Sequence, residues 1–182
     1  MTKGELALTS ALKVSRFCPR QMKLLHPDSG DMKVEGNSIF LAGPTPRSVE
    51  VMPWRPVAID ILQDLGFKGT VFVPERKDWS VKFNYDDQVQ WELNCLELAS
   101  CIAFWVPRHL NDMLGLTTNV EFGLYIRSGK VVYGRPKNAP HTRYLDCLYE
   151  KWCGGREPHE WLRSLMCHAQ CGADVQGTFD IN

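Results

Sequence analysis

Strand-like and helix-like patterns alternate along this chain. Apolar runs rich in strand-forming residues lie at residues 38–43, 70–73, 101–106 and 131–134. Apolar positions recur at helical spacing at residues 54–65, 86–99 and 118–129, and again within residues 144–149 and 161–166. Because the strand runs are apolar throughout and alternate with helices, we predict a doubly wound α/β fold, a parallel sheet with helices on both of its faces.

The predicted domain is flanked by two segments without clear periodicity. Residues 1–36 are expected to form an N-terminal extension, with one or two helical turns near residues 6–14, and residues 171–182 an irregular C-terminal tail. The segment between them, residues 37–170, is expected to be a single α/β domain. The chain has 182 residues and 44% hydrophobic positions, enough for one substantial core.

Charge and cysteine content exclude several functional classes. Acidic and basic residues balance at 21 each, which favours neither a nucleic-acid surface nor a membrane-binding patch, and no apolar run approaches the length of a membrane span. We therefore expect a cytoplasmic protein. Seven cysteines, an odd number, argue against a disulfide scaffold. No metal is predicted either, because one Cys/His cluster lacks the C-x-x-C spacing of structural zinc sites; its members are Cys147, Cys153, Cys167, His168 and Cys171.

The loop that follows the first apolar strand contains Gly43, Pro44 and Arg47. Its two prolines remove backbone N–H donors, so it does not form the phosphate cradle of a P-loop, and no cofactor is predicted. Arg47 can instead bind an anion through charge-assisted hydrogen bonds. The alternative for Arg47 is an ordinary solvated side chain.

Glu121 lies near the start of a predicted helix that begins at Thr118. The loop before it, residues 107–116, leaves the carboxyl end of an apolar strand and contains Asp112. Ligands of open α/β sheets bind at this edge. In the first helical turn the helix dipole favours the ionised carboxylate, which makes Glu121 a candidate nucleophile. The structural alternative is that Thr118-x-x-Glu121 forms a capping box.

A second acid, Glu92, falls on the apolar face of the predicted helix 86–99. At 100° per residue it lies between Leu96 and Ala99, on the face that also contains Val89 and Leu93. Burying an unpaired carboxylate is costly, so Glu92 should either have a raised pKa or meet a polar cavity. The alternative is a Glu at the edge of this face that reaches water or pairs with an arginine. We favour a functional acid.

Five segments of the chain form a set of motifs. They are IFLAGP at residues 39–44, QWE at 90–92, FWVPR at 104–108, TTNVEFG at 117–123 and SGKV at 128–131. This set resembles the nucleoside 2-deoxyribosyltransferase family and its nucleotide N-glycosidase relatives. The resemblance runs from about residue 38 to residue 135, and its most specific element is the Asn-x-Glu-x-Gly motif that begins at Asn119.

The resemblance implies a flavodoxin-like or Rossmann-like sheet and cleavage of the N-glycosidic bond of a nucleoside or nucleoside monophosphate. Glu121 would attack the anomeric carbon of the sugar, and Glu92 would contact the base. A second base would complete a transfer reaction, and water a hydrolysis. The predicted partner is thus a small nucleoside or nucleotide, with no nucleic acid and no membrane. The predicted substrate-binding residues are Gly43, Pro44, Arg47, Arg55, Asp112, Thr118 and Asn119. In a nucleotide substrate, Arg47 and Arg55 would hold the 5′-phosphate.

Members of the family often assemble as oligomers in which a neighbour completes the site, so a homo-oligomer is expected. The chain departs from the family at Ser100, where an Asp is usual. Two other functions stay open at this level. One is a nucleotide-binding or sensor module without chemistry, which Ser100 supports. The other is a structural partner that docks through the segment from Trp152 to Trp161, although ordinary core helices are the simpler interpretation of those residues.

Overall fold

The structure, a computed structural model, describes residues 21–30, 32–78, 80 and 84–176. Its strands are β1 (Lys23–Leu25), β2 (Ser38–Ala42), β3 (Thr70–Phe72), β4 (Cys101–Trp105) and β5 (Val131–Gly134). The helices of this part of the chain are α1 (Trp54–Asp64), α2 (Tyr85–Leu98), α3 (Leu116–Tyr125), α4 (Arg143–Trp152) and α5 (Leu162–Gln176). All strand pairs are parallel, in the order β1-β3-β2-β4-β5. The predicted doubly wound α/β fold is confirmed.

Side chains of the strands alternate between two hydrophobic cores. On β4, Phe104 faces the core that contains α2, α3 and α4, whereas Ala103 faces the core that contains α1 and α5. Every residue of β2 and β4 is buried. Because helices cover both faces of the sheet, these strands carry no polar face, which explains their continuous apolar runs.

The edge strand β1 was not predicted. Lys23–Leu25 pairs with β3, with Lys23 opposite Thr70 and Leu25 opposite Phe72. Three residues with one buried side chain, that of Leu25, are too few to give a period in the sequence. The helical turns predicted near residues 6–14 lie outside the described residues.

Helix α5 continues past residue 171, so the prediction of an irregular tail from Gly172 is wrong up to Gln176. Ala169 and Ala173 of α5 are fully buried in the core beside β4. A Cβ atom at Gly172 would lie 3.7 Å from the Sγ of Cys101. The small buried residues Ala169 and Ala173 allow the helix to lie close to the sheet, whereas a Cβ at Gly172 would make only an ordinary contact, so this glycine is an interior helix residue and not a helix end.

Two tryptophans lie on the surface, contrary to their interpretation as core residues. Trp152 is 43% exposed and Trp161 is 75% exposed. The guanidinium of Arg127 lies 4.5 Å from the centre of the Trp152 ring, a cation–π contact. Among the helices described here, none is both long and apolar enough to cross a lipid bilayer.

Candidate active site

A pocket of about 640 Å³ opens at the carboxyl edge of the sheet. Its floor is formed by the segment that leaves β2, with Pro74 after β3 beside it, and its walls are α2 and α3. Open α/β sheets bind their ligands at this edge. The volume lies within the usual range for sites that enclose small molecules.

The pocket collects most of the predicted site residues. Seven side chains or backbone segments line it: Gly43, Pro44, Arg47, Arg55, Glu92, Thr118 and Glu121. The other two, Asp112 and Asn119, are not among its lining residues. Asp112 instead pairs with His109, with 3.0 Å between Nδ1 and the carboxylate, and its carbonyl accepts a 2.8 Å hydrogen bond from the backbone N–H of Arg47.

Gly43 brings the floor of the pocket against the end of β4. Its φ is 149°, and a Cβ atom there would collide with the carbonyl oxygen of Trp105 and lie 2.8 Å from the ring of Trp54. The Trp54 indole N–H also donates a 3.0 Å hydrogen bond to the carbonyl of Pro44. The floor therefore requires a residue without a side chain at this position.

The helix that carries Glu121 begins earlier than predicted, so the predicted capping box is wrong. α3 begins at Leu116, and its N-cap is Gly115, which adopts a left-handed conformation (φ 66°, ψ 46°) without a side-chain cap bond. Thr118 lies in the first turn and is buried, while Glu121 lies in the second turn. A residue with Cβ would be strained at Gly115, which explains why the helix entry uses glycine.

Burial controls the protonation of Glu121. The pKa of Glu121 is raised to about 7, first by desolvation and then by the like charge of Glu92, while the positive charge of Arg55 opposes both effects. The expectation that the helix dipole keeps Glu121 ionised is therefore corrected. The dipole acts mainly within the first turn, and Glu121 lies beyond it.

The pKa of Glu92 is also raised, mainly by burial. Two neighbours oppose the shift: the side-chain amide of Gln88 donates a 3.0 Å hydrogen bond to Oε1 of Glu92, and Arg55 contributes its positive charge. Sequence reasoning missed Gln88, although its spacing of four residues on the same helix is a signal for such a contact.

The predicted core face of α2 is confirmed only in part: Leu96 and Ala99 are buried in the core, whereas Val89 and Leu93 are not. Val89 and Leu93 are 37% and 39% exposed and line the pocket together with Glu92. The core contacts of α2 come from Trp91, Cys95 and Leu96. Glu92 thus meets a cavity, which was one of the two outcomes expected for an acid among apolar neighbours.

Arg55 lies beneath the pocket floor, and its side chain is 2% exposed. It donates hydrogen bonds to the carbonyls of Leu41 and Gly43 and forms an ion pair with Glu75. These contacts occupy the guanidinium inside the protein, so its predicted role as a phosphate ligand is replaced by a role in shaping the floor. Arg47 is exposed at the pocket and is the better placed cation for a ligand anion.

Arg108 anchors the entry of α3. Its guanidinium is buried and donates to the side-chain oxygen of Asn119 (2.5 Å) and to the carbonyl of His141 (2.6 Å). Asn119 therefore contacts Arg108 instead of the pocket. Sequence reasoning named both residues in separate motifs, and the signal for their contact is that each follows the same buried strand, β4.

The departure at Ser100 lies at the opposite edge of the sheet. Ser100 precedes β4, and its backbone N–H donates to the hydroxyl of Ser38 (3.1 Å), while the Ser38 N–H donates to the Ser100 hydroxyl (3.2 Å). These reciprocal bonds join the amino ends of β2 and β4, whereas the pocket lies at the carboxyl ends. Ser100 therefore makes no contact with the pocket.

The exposed apolar residues around the pocket mouth were not predicted. They lie at intervals of four residues on two helices: Tyr85, Val89 and Leu93 on α2, and Leu116, Val120 and Leu124 on α3. Val89 and Leu93 were expected on a core face, because helical spacing alone does not distinguish exposed apolar residues from buried ones. The described residues bring no group of three or more His, Cys, Asp or Glu side chains together as a metal site.

The fold and the pocket define an α/β protein with two desolvated carboxyl groups at the ligand-binding edge of its sheet. Residues 36–139 match the family described as nucleoside 2-deoxyribosyltransferase like. This match spans more than half of the 182 residues, and the chain belongs to that family. A search among curated proteins returns no significant match.

Proposed function

We propose that the protein cleaves the N-glycosidic bond of a (deoxy)nucleoside or nucleoside monophosphate. Glu121 acts as the nucleophile, and Glu92 exchanges a proton with the base. The observation that carries this proposal is that two carboxyl groups, both with a raised pKa, line one pocket of ligand size. Membership of the nucleoside 2-deoxyribosyltransferase-like family supports the same bond.

The charge state of the two acids suits the first chemical step. Burial and the charge of Glu92 raise the pKa of Glu121 to about 7, and burial raises the pKa of Glu92, so the protonated form of this pair is accessible near neutral pH. In the proposed mechanism the reactive form is the one in which Glu92 holds the proton and Glu121 is ionised. Ionised Glu121 attacks C1′ of the sugar, and a bond from its carboxylate to C1′ forms as the bond from C1′ to the base nitrogen breaks. Glu92 gives its proton to the departing base.

The second step releases the sugar from Glu121. An incoming base nitrogen or a water molecule attacks C1′, the bond to Glu121 breaks, and Glu92 takes the proton of the incoming group. Transfer and hydrolysis thus share the same two residues and differ in what reaches C1′. Exclusion of water from the pocket favours transfer.

Arg47 supports a preference for the phosphorylated substrate. It lines the pocket, its side chain is exposed, and its backbone is held by the carbonyl of Asp112. A guanidinium in this position can bind a 5′-phosphate with two parallel hydrogen bonds.

The apolar residues at the pocket mouth support a homo-oligomer. The exposed apolar residues of α2 and α3 lie on the two sides of the opening. Several of them are more than 60% exposed, Tyr85 and Leu124 among them. A second copy seated on them would bury apolar surface and close the mouth against water. Light scattering coupled to gel filtration should give a dimer or higher oligomer for the wild type and a smaller species for Val120→Asp. A monomeric wild type would contradict this part of the proposal.

The alternative of a sensor without chemistry has lost its main support, because Ser100 lies away from the pocket. Incubation with a panel of nucleosides and nucleoside monophosphates, with free base measured by chromatography, tests the choice directly. Wild type should release base, and Glu121→Gln or Glu92→Gln should lower the rate at least about a hundredfold. Adding a second base to the same reaction separates transfer from hydrolysis.

The matched control is Glu150→Gln, which removes an exposed carboxylate from α4, away from the pocket. It should release base at the wild-type rate. Base release by Glu121→Gln at the wild-type rate would rule out Glu121 as the nucleophile. A stabilising ligand that is never turned over would favour the sensor instead.

A further inference from the structure

Arg55 is held in one orientation beneath the pocket floor. It is the second residue of α1 and is 1% exposed. Nε donates to the carbonyl of Leu41 (3.0 Å), Nη2 to the carbonyl of Gly43 (2.5 Å), and Nη1 to the hydroxyl of Thr45 (3.0 Å). Because these acceptors follow one another along the chain that leaves β2, the planar guanidinium fixes the shape of the floor.

Glu75 supplies the counter-charge from the opposite side. Its Oε1 lies 2.6 Å from Nη1 of Arg55, and its side chain is only 20% exposed. The backbone of Glu75 is held as well, because its carbonyl accepts a 2.7 Å hydrogen bond from Nδ1 of His26. A buried cation without such a partner is unfavourable, so Arg55 and Glu75 form one unit.

This ion pair acts on the two acids of the pocket. The positive charge of Arg55 lowers the pKa of Glu92 and of Glu121, against the effect of their burial. Of the other ionisable groups near them, Cys95 on α2 and Tyr125 on α3 each have a pKa raised to about 12, so both are uncharged near neutral pH. Arg47 also lines the pocket, but it is exposed and solvated.

We propose that Glu75 is a positioning residue whose negative charge partly offsets the electrostatic effect of Arg55 on Glu92 and Glu121. Glu75 thereby keeps one proton on this pair of carboxyl groups. This inference rests on the proposed function, in which that proton passes to the departing base. An uncompensated Arg55 would favour two ionised carboxylates, and Glu92 would then have no proton to donate. Glu75 touches neither substrate nor reacting atoms and acts through Arg55.

Carboxyl titration tests the electrostatic step without reference to activity. The protein is labelled with ¹³C at the glutamate carboxyl carbons, and the signals of Glu92 and Glu121, assigned from Glu→Gln variants, are followed from pH 4 to pH 9. Glu75→Gln keeps the size of the side chain and removes its charge. It should lower both titration midpoints by on the order of half a pH unit, as expected for a charge removed from a partly screened site.

The matched control is Thr45→Val, which removes a neutral acceptor from the same Nη1 and keeps the side-chain shape. It should leave both midpoints within experimental error. Glu75→Asp keeps the negative charge but moves it away from Arg55 by the length of one methylene group. It should lower both titration midpoints by a smaller amount, and it replaces Glu75→Gln as the test if that variant does not fold. Midpoints that stay unchanged or rise in the Glu75 variants would overturn the inference.

The pH profile of base release then links the charge to catalysis. Glu75→Gln should be about two- to threefold less active than wild type near neutral pH, because a midpoint lowered by about half a unit leaves less of the protonated pair, and should regain the wild-type rate at lower pH with little change in KM. A merely structural loss would not be rescued by acid. If the wild type releases no base, the proposed function fails, while the titration still decides the role of Glu75. Base release with an unshifted profile in Glu75→Gln would contradict this inference alone.

Discussion

The raised pKa of Glu121 predicts that this residue lowers stability as the pH rises. Desolvation, together with the like charge of Glu92, moves its pKa from an ordinary value near 4.5 to about 7. The folded protein therefore binds more protons than the unfolded chain between these two values, and the free energy of unfolding decreases as pH increases across that window. The stabilising contribution is complete below pH 4.5 and is lost as the pH passes through 7.

The size of the effect follows from the same two values. Each pH unit corresponds to about 1.4 kcal/mol, so moving the pKa from 4.5 to about 7 corresponds to about 3 kcal/mol. Glu121→Gln removes the titration. The stability of this variant relative to wild type should therefore increase by about 2–3 kcal/mol between pH 4.5 and pH 8.5. The like-charged neighbour Glu92 contributes to the shift, so Glu92→Gln should move the inflection of Glu121 to lower pH.

Urea unfolding at half-unit pH steps, followed by the fluorescence of the six tryptophans, measures this difference. Glu150→Gln, an exposed change of the same type on α4, should differ from wild type by a constant amount at every pH. A constant difference for Glu121→Gln as well, or one that decreases with pH, would refute the idea that burial controls this carboxyl group.

Three further changes have defined outcomes. Gly43→Ala should lower the free energy of unfolding by about 2–4 kcal/mol, measured by urea unfolding, because the new Cβ collides with Trp105. Gly66→Ala, at a positive φ of 75° with open space around it, should lower the free energy of unfolding by less. Gly172→Ala should raise the melting temperature, with a gain of about 0.5–1 kcal/mol, because its Cβ meets only an ordinary contact inside α5. Arg47→Gln should raise KM about tenfold or more for a nucleoside monophosphate and leave KM unchanged for the matching nucleoside, by steady-state kinetics. A lower melting temperature for Gly172→Ala, or equal KM changes for both substrates, would contradict the respective argument.

The architecture was predictable because it depends on strong local signals. Four apolar runs bounded by Gly and Pro correspond to β2 through β5, and helical spacing marks the five helices. β1 escaped detection because an edge strand of three residues has no period of its own. The extent of α5 was underestimated because a glycine is a common helix end, and the sequence does not show that Gly172 lies inside the helix.

The sequence predicted which residues line the site better than it predicted the charge states of those residues. Glu92 and Glu121 were named from sequence, and both line the pocket. Their charge states depend on burial and mutual repulsion, which are properties of the folded chain that helix position alone does not give. The burial of Arg55 under the floor was equally hidden, because a single arginine in an amphipathic helix is compatible with both solvent and core.

The packing of α5 also bears on where the chain can be cut. The family match ends at residue 139, but the core does not, since α5 packs beside α1 on one face of the sheet through Leu165, Met166, Ala169 and Ala173. A fragment ending at residue 139 would expose β4 and the inner surface of α1 to water. Expression fragments for crystallisation or labelling should therefore extend at least through Ala173, well past the boundary that sequence similarity suggests.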